Sequence, residues 1–129
     1  MATIKRFEDL EIWQEARRLA KVVHDLTVTT DLKSDLKLKD QIKASSGSVM
    51  DNIAEGFERD GNYEFRQFLS VAKGSAGESR SQLYRIFDCG YITQESLDVL
   101  KNDYEMLSGK IKNFMTYLNK KDFKGTKFQ

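Results

Sequence analysis

The chain has 129 residues, 40% hydrophobic and 32% charged, with a net charge of +1 and no proline. This is enough for one domain with its own core, and the balance excludes a disordered chain. The single cysteine, Cys89, excludes an internal disulfide and fits a reducing cytoplasm. No apolar run approaches the roughly 20 residues of a membrane span, and no apolar segment follows Lys5-Arg6 as in a signal peptide, so no membrane partner is expected.

The first helix is predicted over about residues 7–29, where Leu10, Trp13, Ala16, Ala20, Val23 and Leu26 recur at three- and four-residue spacing. Glu8, Asp9 and Glu11 fall in its first turn, where the helix dipole favours acids. Ile12, Leu19 and Val22 widen the stripe, and Trp13 is the expected core anchor. His24, the only histidine, sits beside the stripe and is expected at the surface or hydrogen-bonded in the core.

A second helix, about 35–57 with Ser34 as N-cap, carries two stripes. Ile42, Ser46, Val49, Ile53 and Phe57 form an apolar-to-small one. Gln41, Ser45, Ser48, Asn52, Glu55 and Arg59 form a short polar one about 100° round the helix. Exposed faces are ordinarily rich in Lys and Glu, so this helix is expected to pack on two sides. Lys33, Lys37, Lys39 and Lys43 crowd its start against the dipole and are expected to answer acids on a neighbouring helix. Asp60-Gly61-Asn62 marks a turn.

The third helix, about 62–88, presents Phe65, Phe68 or Leu69, Ala72, Ala76, Ser79, Leu83 and Ile86 or Phe87, and Gly90 is its expected left-handed cap. Thr93 caps a fourth, about 94–119. There Leu97, Leu100, Tyr104, Leu107, Ile111, Phe114 and Leu118 alternate by three and four without a break. Four such helices with short connections predict an all-α, antiparallel up-down-up-down four-helix bundle about 30–40 Å long.

The expected helix-packing or oligomer interface comprises Ser45, Ser48, Asn52, Glu55, Gly56 and Arg59 with Gly74, Ser75 and Glu78 of the third helix. Small side chains there let another backbone approach closely. Gly74 and Gly77 each cost about 1 kcal/mol of helix propensity, which close helix approach explains. Glu55 and Arg59 are spaced to pair at i,i+4.

Residues 110–129 hold six lysines (110, 112, 120, 121, 124, 127) against Asp122, a net +5; residues 1–109 hold 15 basic and 19 acidic residues, a net −4. The basic tail, 120–129, reads either as a solvated helix end or as an electrostatic foot for nucleic acid or an acidic partner. In the second case Lys110, Lys112, Lys120, Lys121, Lys124 and Lys127 are the candidate contacts.

Catalytic chemistry finds little support. A di-iron bundle needs two Glu-x-x-His motifs, and one histidine cannot supply them. Cys89 with His24 is no zinc site. Gly74-Ser75-Ala76-Gly77-Glu78-Ser79 lacks the Gly-Lys-Ser/Thr ending and preceding strand of a phosphate loop. No cofactor, metal or enzymatic activity is expected.

Phe7-Glu8-Asp9-Leu10-Glu11-Ile12-Trp13-Gln14, Gln41-Ile42-Lys43-Ala44-Ser45, Asn52-Ile53-Ala54-Glu55-Gly56-Phe57-Glu58-Arg59 and Ala72-Lys73-Gly74-Ser75 with Glu78 resemble the 23S rRNA intervening-sequence proteins. The family often carries proline two residues before the motif asparagine, where this chain has Met50. The resemblance implies a bacterial four-helix bundle assembled as a homopentamer, with no established enzymatic activity. It also implies kinship with accessory proteins of diversity-generating retroelements, which bind nucleic acid and a reverse transcriptase. The leading expectation is a non-enzymatic oligomeric scaffold; the alternative is a nucleic-acid-binding accessory factor.

Overall fold

The computed structural model describes residues 4–120. Four helices, α1 (Glu11–Thr29), α2 (Leu36–Glu58), α3 (Asn62–Asp88) and α4 (Gln94–Lys120), pack as a four-helix bundle, and the described residues include no strand. Short 3-10 turns, Phe7–Asp9 and Asp31–Ser34, precede α1 and α2.

α1 begins later than its acidic first turn suggested. Glu8 and Asp9 belong to the 3-10 turn, and Leu10 is extended at φ −76°, ψ 127° before the helix starts. Its buried line is Ile12, Ala16, Leu19, Val23 and Thr27, one step round from the expected centre. The aliphatic set takes the core, whereas Trp13 lies half-buried at the margin. There its ring meets Phe7 edge-on at 5.1 Å and carries the Arg17 guanidinium 5.6 Å from its centroid.

Asp35, not Ser34, is the N-cap of α2. Its Oδ1 accepts the Leu38 N–H at 3.3 Å, while Oδ2 accepts the Tyr91 hydroxyl at 2.9 Å. One carboxylate thus ties the start of α2 to the α3–α4 connection, and the hydrogen bond to it pushes the Tyr91 phenol up. Ser34 is taken up in the preceding 3-10 turn. Lys33, Lys37, Lys39 and Lys43 form no ion pair among the described residues, so the expected acidic partners are not there.

α3 stops as expected. Gly90, at φ +82°, donates to the Phe87 carbonyl at 2.8 Å and Tyr91 to that of Ile86 at 3.1 Å, which is the Schellman arrangement. Thr93 Oγ1 then accepts the Ser96 N–H at 3.1 Å and opens α4.

Leu19, Val23, Ile42, Val49, Ile53, Phe65, Leu69, Leu83, Ile86 and Ile111 are wholly buried in one core. The heptad positions of α4 point into it, except Phe114, which is half-buried and meets Phe65 edge-on at 5.5 Å. α2 packs most extensively on α3, and α3 next on α4. α1 touches α4 far less, and charge spans that gap: Arg18 to Asp103 at 3.1 Å and Lys110 to Glu11 at 3.3 Å. Exposed pairs of this kind contribute at most about 1 kcal/mol each, so α1 is held chiefly by its apolar side against α2. No helix among the described residues is long and apolar enough to cross a membrane.

Candidate functional site

The short polar stripe of α2 lies mostly in a seam against α3 of the same chain. Ser45 is buried; its Oγ donates to Gln82 Oε1 at 2.6 Å and accepts the Ser79 hydroxyl at 2.8 Å. One turn on, Ser48 Oγ and Ser75 Oγ lie 2.9 Å apart, and the Asn52 amide donates back to Ser48 Oγ at 2.9 Å and to its carbonyl at 2.8 Å. Small hydroxyls allow the backbones to close up, and each buried polar group is answered across the gap.

The closest approach is at Gly56. A Cβ there would sit 2.7 Å from Phe68 Cβ and 2.8 Å from Phe65 Cδ1. Beyond it the seam opens to water. Arg59 bonds Glu55 at 2.7 Å, stands 3.9 Å from Glu64 and lies 5.0 Å over the Phe68 ring.

Ser45, Ser48, Gly56 and Ser75 are therefore brought together inside one chain, with half-buried Asn52 beside them and exposed Glu55 and Arg59 at the end. Gly74 and Glu78 are exposed on the opposite side of α3. The close approach expected at Gly74 and Gly77 is not made within the chain, since a Cβ at either would meet nothing within 4 Å. Of the candidate lysines, Lys110 is spent on Glu11, Lys112 and Lys120 are exposed, and Lys121, Lys124 and Lys127 lie outside the described residues.

Two features were not anticipated. Gln82 joins the buried hydroxyls, which its position one step before Leu83 in the core stripe could have shown. The outer face of α3 is the second: Tyr63, Gln67, Ser70, Gly74, Gly77, Ser81, Tyr84 and Asp88 alternate by four and three, and all are exposed. Tyrosines that are 66% and 43% exposed end a centre with almost no side-chain bulk. The 4-3 spacing was visible in sequence; its lack of apolar weight hid it.

Tyr104 is the odd member of the core. It is 1% exposed, and its hydroxyl has no partner in bonding geometry although Ser79 lies close enough to act on it. Burial pushes its phenol well above the usual range. A raised pKa favours the folded form below about pH 10 and is lost above it, because only the unfolded phenol ionises freely there. Tyr104→Phe should therefore leave stability at pH 7 unchanged or raise it by about 1 kcal/mol, by removing an unpaired buried hydroxyl. It should also blunt unfolding above pH 10, as followed by circular dichroism in urea at both pH values.

Among the described residues no three metal-binding side chains gather, and His24 and Cys89 are both exposed. Fold and seam together define a small helical-bundle protein whose polar residues are organised for helix packing. The chain belongs to the 23S rRNA-intervening sequence protein family, whose model matches residues 8–113. It is similar to a crystal structure of a Bacteroides thetaiotaomicron protein of unknown function from the S23 ribosomal protein family. The TM-score is 0.75 at 19% identity, over 81% of this chain and 95% of that one. At that identity the likeness speaks to fold. No curated protein matches the chain.

Proposed function

We propose that the chain is a non-enzymatic, cytoplasmic scaffold that assembles with copies of itself through the outer face of α3, closing into the homopentamer its family resemblance implies. Its helices alternate up-down-up-down. Partner numbers fall on one helix as they rise on the next, as in Ser45 with Ser79 and Ser48 with Ser75, and in Arg18 with Asp103 and Glu11 with Lys110.

The observation that carries the proposal is the exposed 4-3 seam of α3 with Gly74 and Gly77 at its centre. Two interior glycines cost about 2 kcal/mol relative to alanine. Nothing inside the chain approaches either one. Gly47 and Gly109 are equally open, but only Gly74 and Gly77 stand together at the centre of one exposed seam, where missing side chains allow close contact with another molecule. The two flanks differ in charge: Glu64 and Glu78 with Arg85 on one side, Arg66, Lys73 and Arg80 on the other. Unlike flanks suit head-to-tail contacts between successive copies, which form a ring where the rotation from copy to copy closes.

Native mass spectrometry at micromolar concentration should show a closed oligomer. Gly74→Leu with Gly77→Leu should yield a monomer of unchanged helicity, since the new side chains meet nothing in their own bundle. A monomeric wild type, or a double variant assembling as the wild type does, would overturn the proposal.

A second reading, a nucleic-acid-binding accessory factor or partner of a reverse transcriptase, is favoured by exposed Lys112 and Lys120 leading into the lysines of residues 121–129. Assembly would gather several such tails. Its affinity should fall steeply with salt, and charge reversal at Lys112 and Lys120 should weaken it.

A further inference from the structure

A head-to-tail ring needs two unlike faces on each copy, and the outer side of α3 is only one of them. We propose that the second is the outer side of α2, where a row of acids receives the basic edge of α3 from the next copy. The proposal rests on self-assembly through α3 and names the face that α3 meets.

Asp40, Ala44, Gly47, Asp51, Ala54 and Glu58 alternate by four and three along α2, and none of them is buried. They make a face of small side chains that carries three exposed carboxylates. Arg66, Lys73 and Arg80 line one edge of the α3 seam. None of these six charged groups forms an ion pair among the described residues. Two rows of opposite sign stand unanswered on one chain, and a second copy answers both.

The register of the bundle matches them. Inside the chain Ser45 stands level with Ser79 and Ser48 with Ser75. In a closed ring whose axis follows the bundles, successive copies stand at one height, so the same levels hold from copy to copy. Glu58 then comes level with Arg66 of the next copy, Asp51 with its Lys73 and Gly47 with its Gly77. Arg80 lies one turn, about 5 Å, from the level of Asp40, within reach of a guanidinium. Small residues on both faces let the helices close up, and the charges fix which edge meets which. The outer side of α4 fits less well: there Asp98 and Glu105 alternate with Lys101 and Lys112, and a mixed row selects no edge. α2 and α3 are neighbours in the bundle. Their outer faces are therefore not opposed, and each contact turns the next copy round instead of extending a straight fibre.

Native mass spectrometry reads the result, with circular dichroism to show that each variant keeps its helices. Asp51→Lys with Glu58→Lys should be monomeric, as should Lys73→Glu with Arg80→Glu. All four changes in one chain exchange the signs of the rows and should restore the wild-type oligomer. Either single-row variant assembling normally, or a helical fourfold variant that stays monomeric, overturns the proposal. A second measurement needs no charge reversal. In a Cys89→Ser background, Asp51→Cys chains refolded with Lys73→Cys chains should form a disulfide between the two kinds, and neither kind should cross-link alone. No mixed cross-link, or Lys73→Cys chains that cross-link with one another, also overturns it. A monomeric wild type sinks the scaffold reading and this one with it. A wild type that assembles, loses assembly in Gly74→Leu/Gly77→Leu and keeps it in Asp51→Lys/Glu58→Lys sinks this one alone.

Discussion

Gly56→Val should destabilise the bundle by about 2–3 kcal/mol, and Gly56→Ala by about 1 kcal/mol, although intrinsic propensity favours either residue over glycine in a helix. Any net loss therefore measures the contact. The new Cβ would lie 2.7 Å from Phe68 Cβ, an atom fixed to the α3 backbone that cannot swing away. Its other neighbour, the Phe65 ring, is fully buried and wedged edge-on between Phe57 at 6.1 Å and Phe114 at 5.5 Å. With no rotamer free to yield, α2 and α3 must separate, and overpacking of this kind typically costs 1–3 kcal/mol. Gly47→Ala is the control. It sits on the same helix, a Cβ there meets nothing within 4 Å, and it should gain up to about 1 kcal/mol. Urea midpoints at unchanged slope decide the matter. A Gly56→Ala protein more stable than the wild type would show that the helices relax apart freely.

That contrast marks how far the sequence was legible. The ends of α2, α3 and α4 lie within a residue of expectation, because Asp60-Gly61-Asn62, Gly90 and Thr93 are local signals whose effect needs no tertiary partner. α1, by contrast, begins four residues later than its acidic turn suggested. α4 was the clearest, since one unbroken apolar seam leaves a single way to face the core. Where two stripes lay one step apart, as on α1, periodicity alone could not rank them; Ile12 and Leu19 took the centre and Trp13 the edge. Glycine was the most ambiguous letter. Gly56 and Gly74 look alike in sequence, yet one is pressed under two phenylalanines and the other faces open space. Only the rotation of α3 about its axis distinguishes them, and that rotation is set by long-range contacts. The same rotation turned Ser75 and Ser79 inward to meet α2 while Gly74 and Glu78 faced out.

Ser45→Ala should cost about 2–3 kcal/mol, far more than a surface serine. The lost hydroxyl serves two buried neighbours: Gln82, 6% exposed, loses the donor to its amide oxygen, and Ser79, wholly buried, loses its partner. An acceptor stranded in the core costs about 1–3 kcal/mol, whereas removing both partners together can be nearly neutral. Gln82→Leu should therefore rescue Ser45→Ala, with the double variant about 1–2 kcal/mol better than the two single losses summed. Adding Ser79→Ala should recover more. What an apolar seam lacks is a reason to hold register. Ser45 with Ser79 and Ser48 with Ser75 pair together in only one alignment, and sliding α3 by a turn restores at most one hydroxyl pair, Ser48 with Ser79 or Ser45 with Ser75. The triple variant should thus keep most of its urea midpoint while its NMR lines broaden near Val49 and Ala76 as alternative alignments exchange. Sharp, wild-type-like lines in that variant would mean that Gly56 and the phenylalanines beside it set the register alone, leaving the serines to specify nothing but closeness.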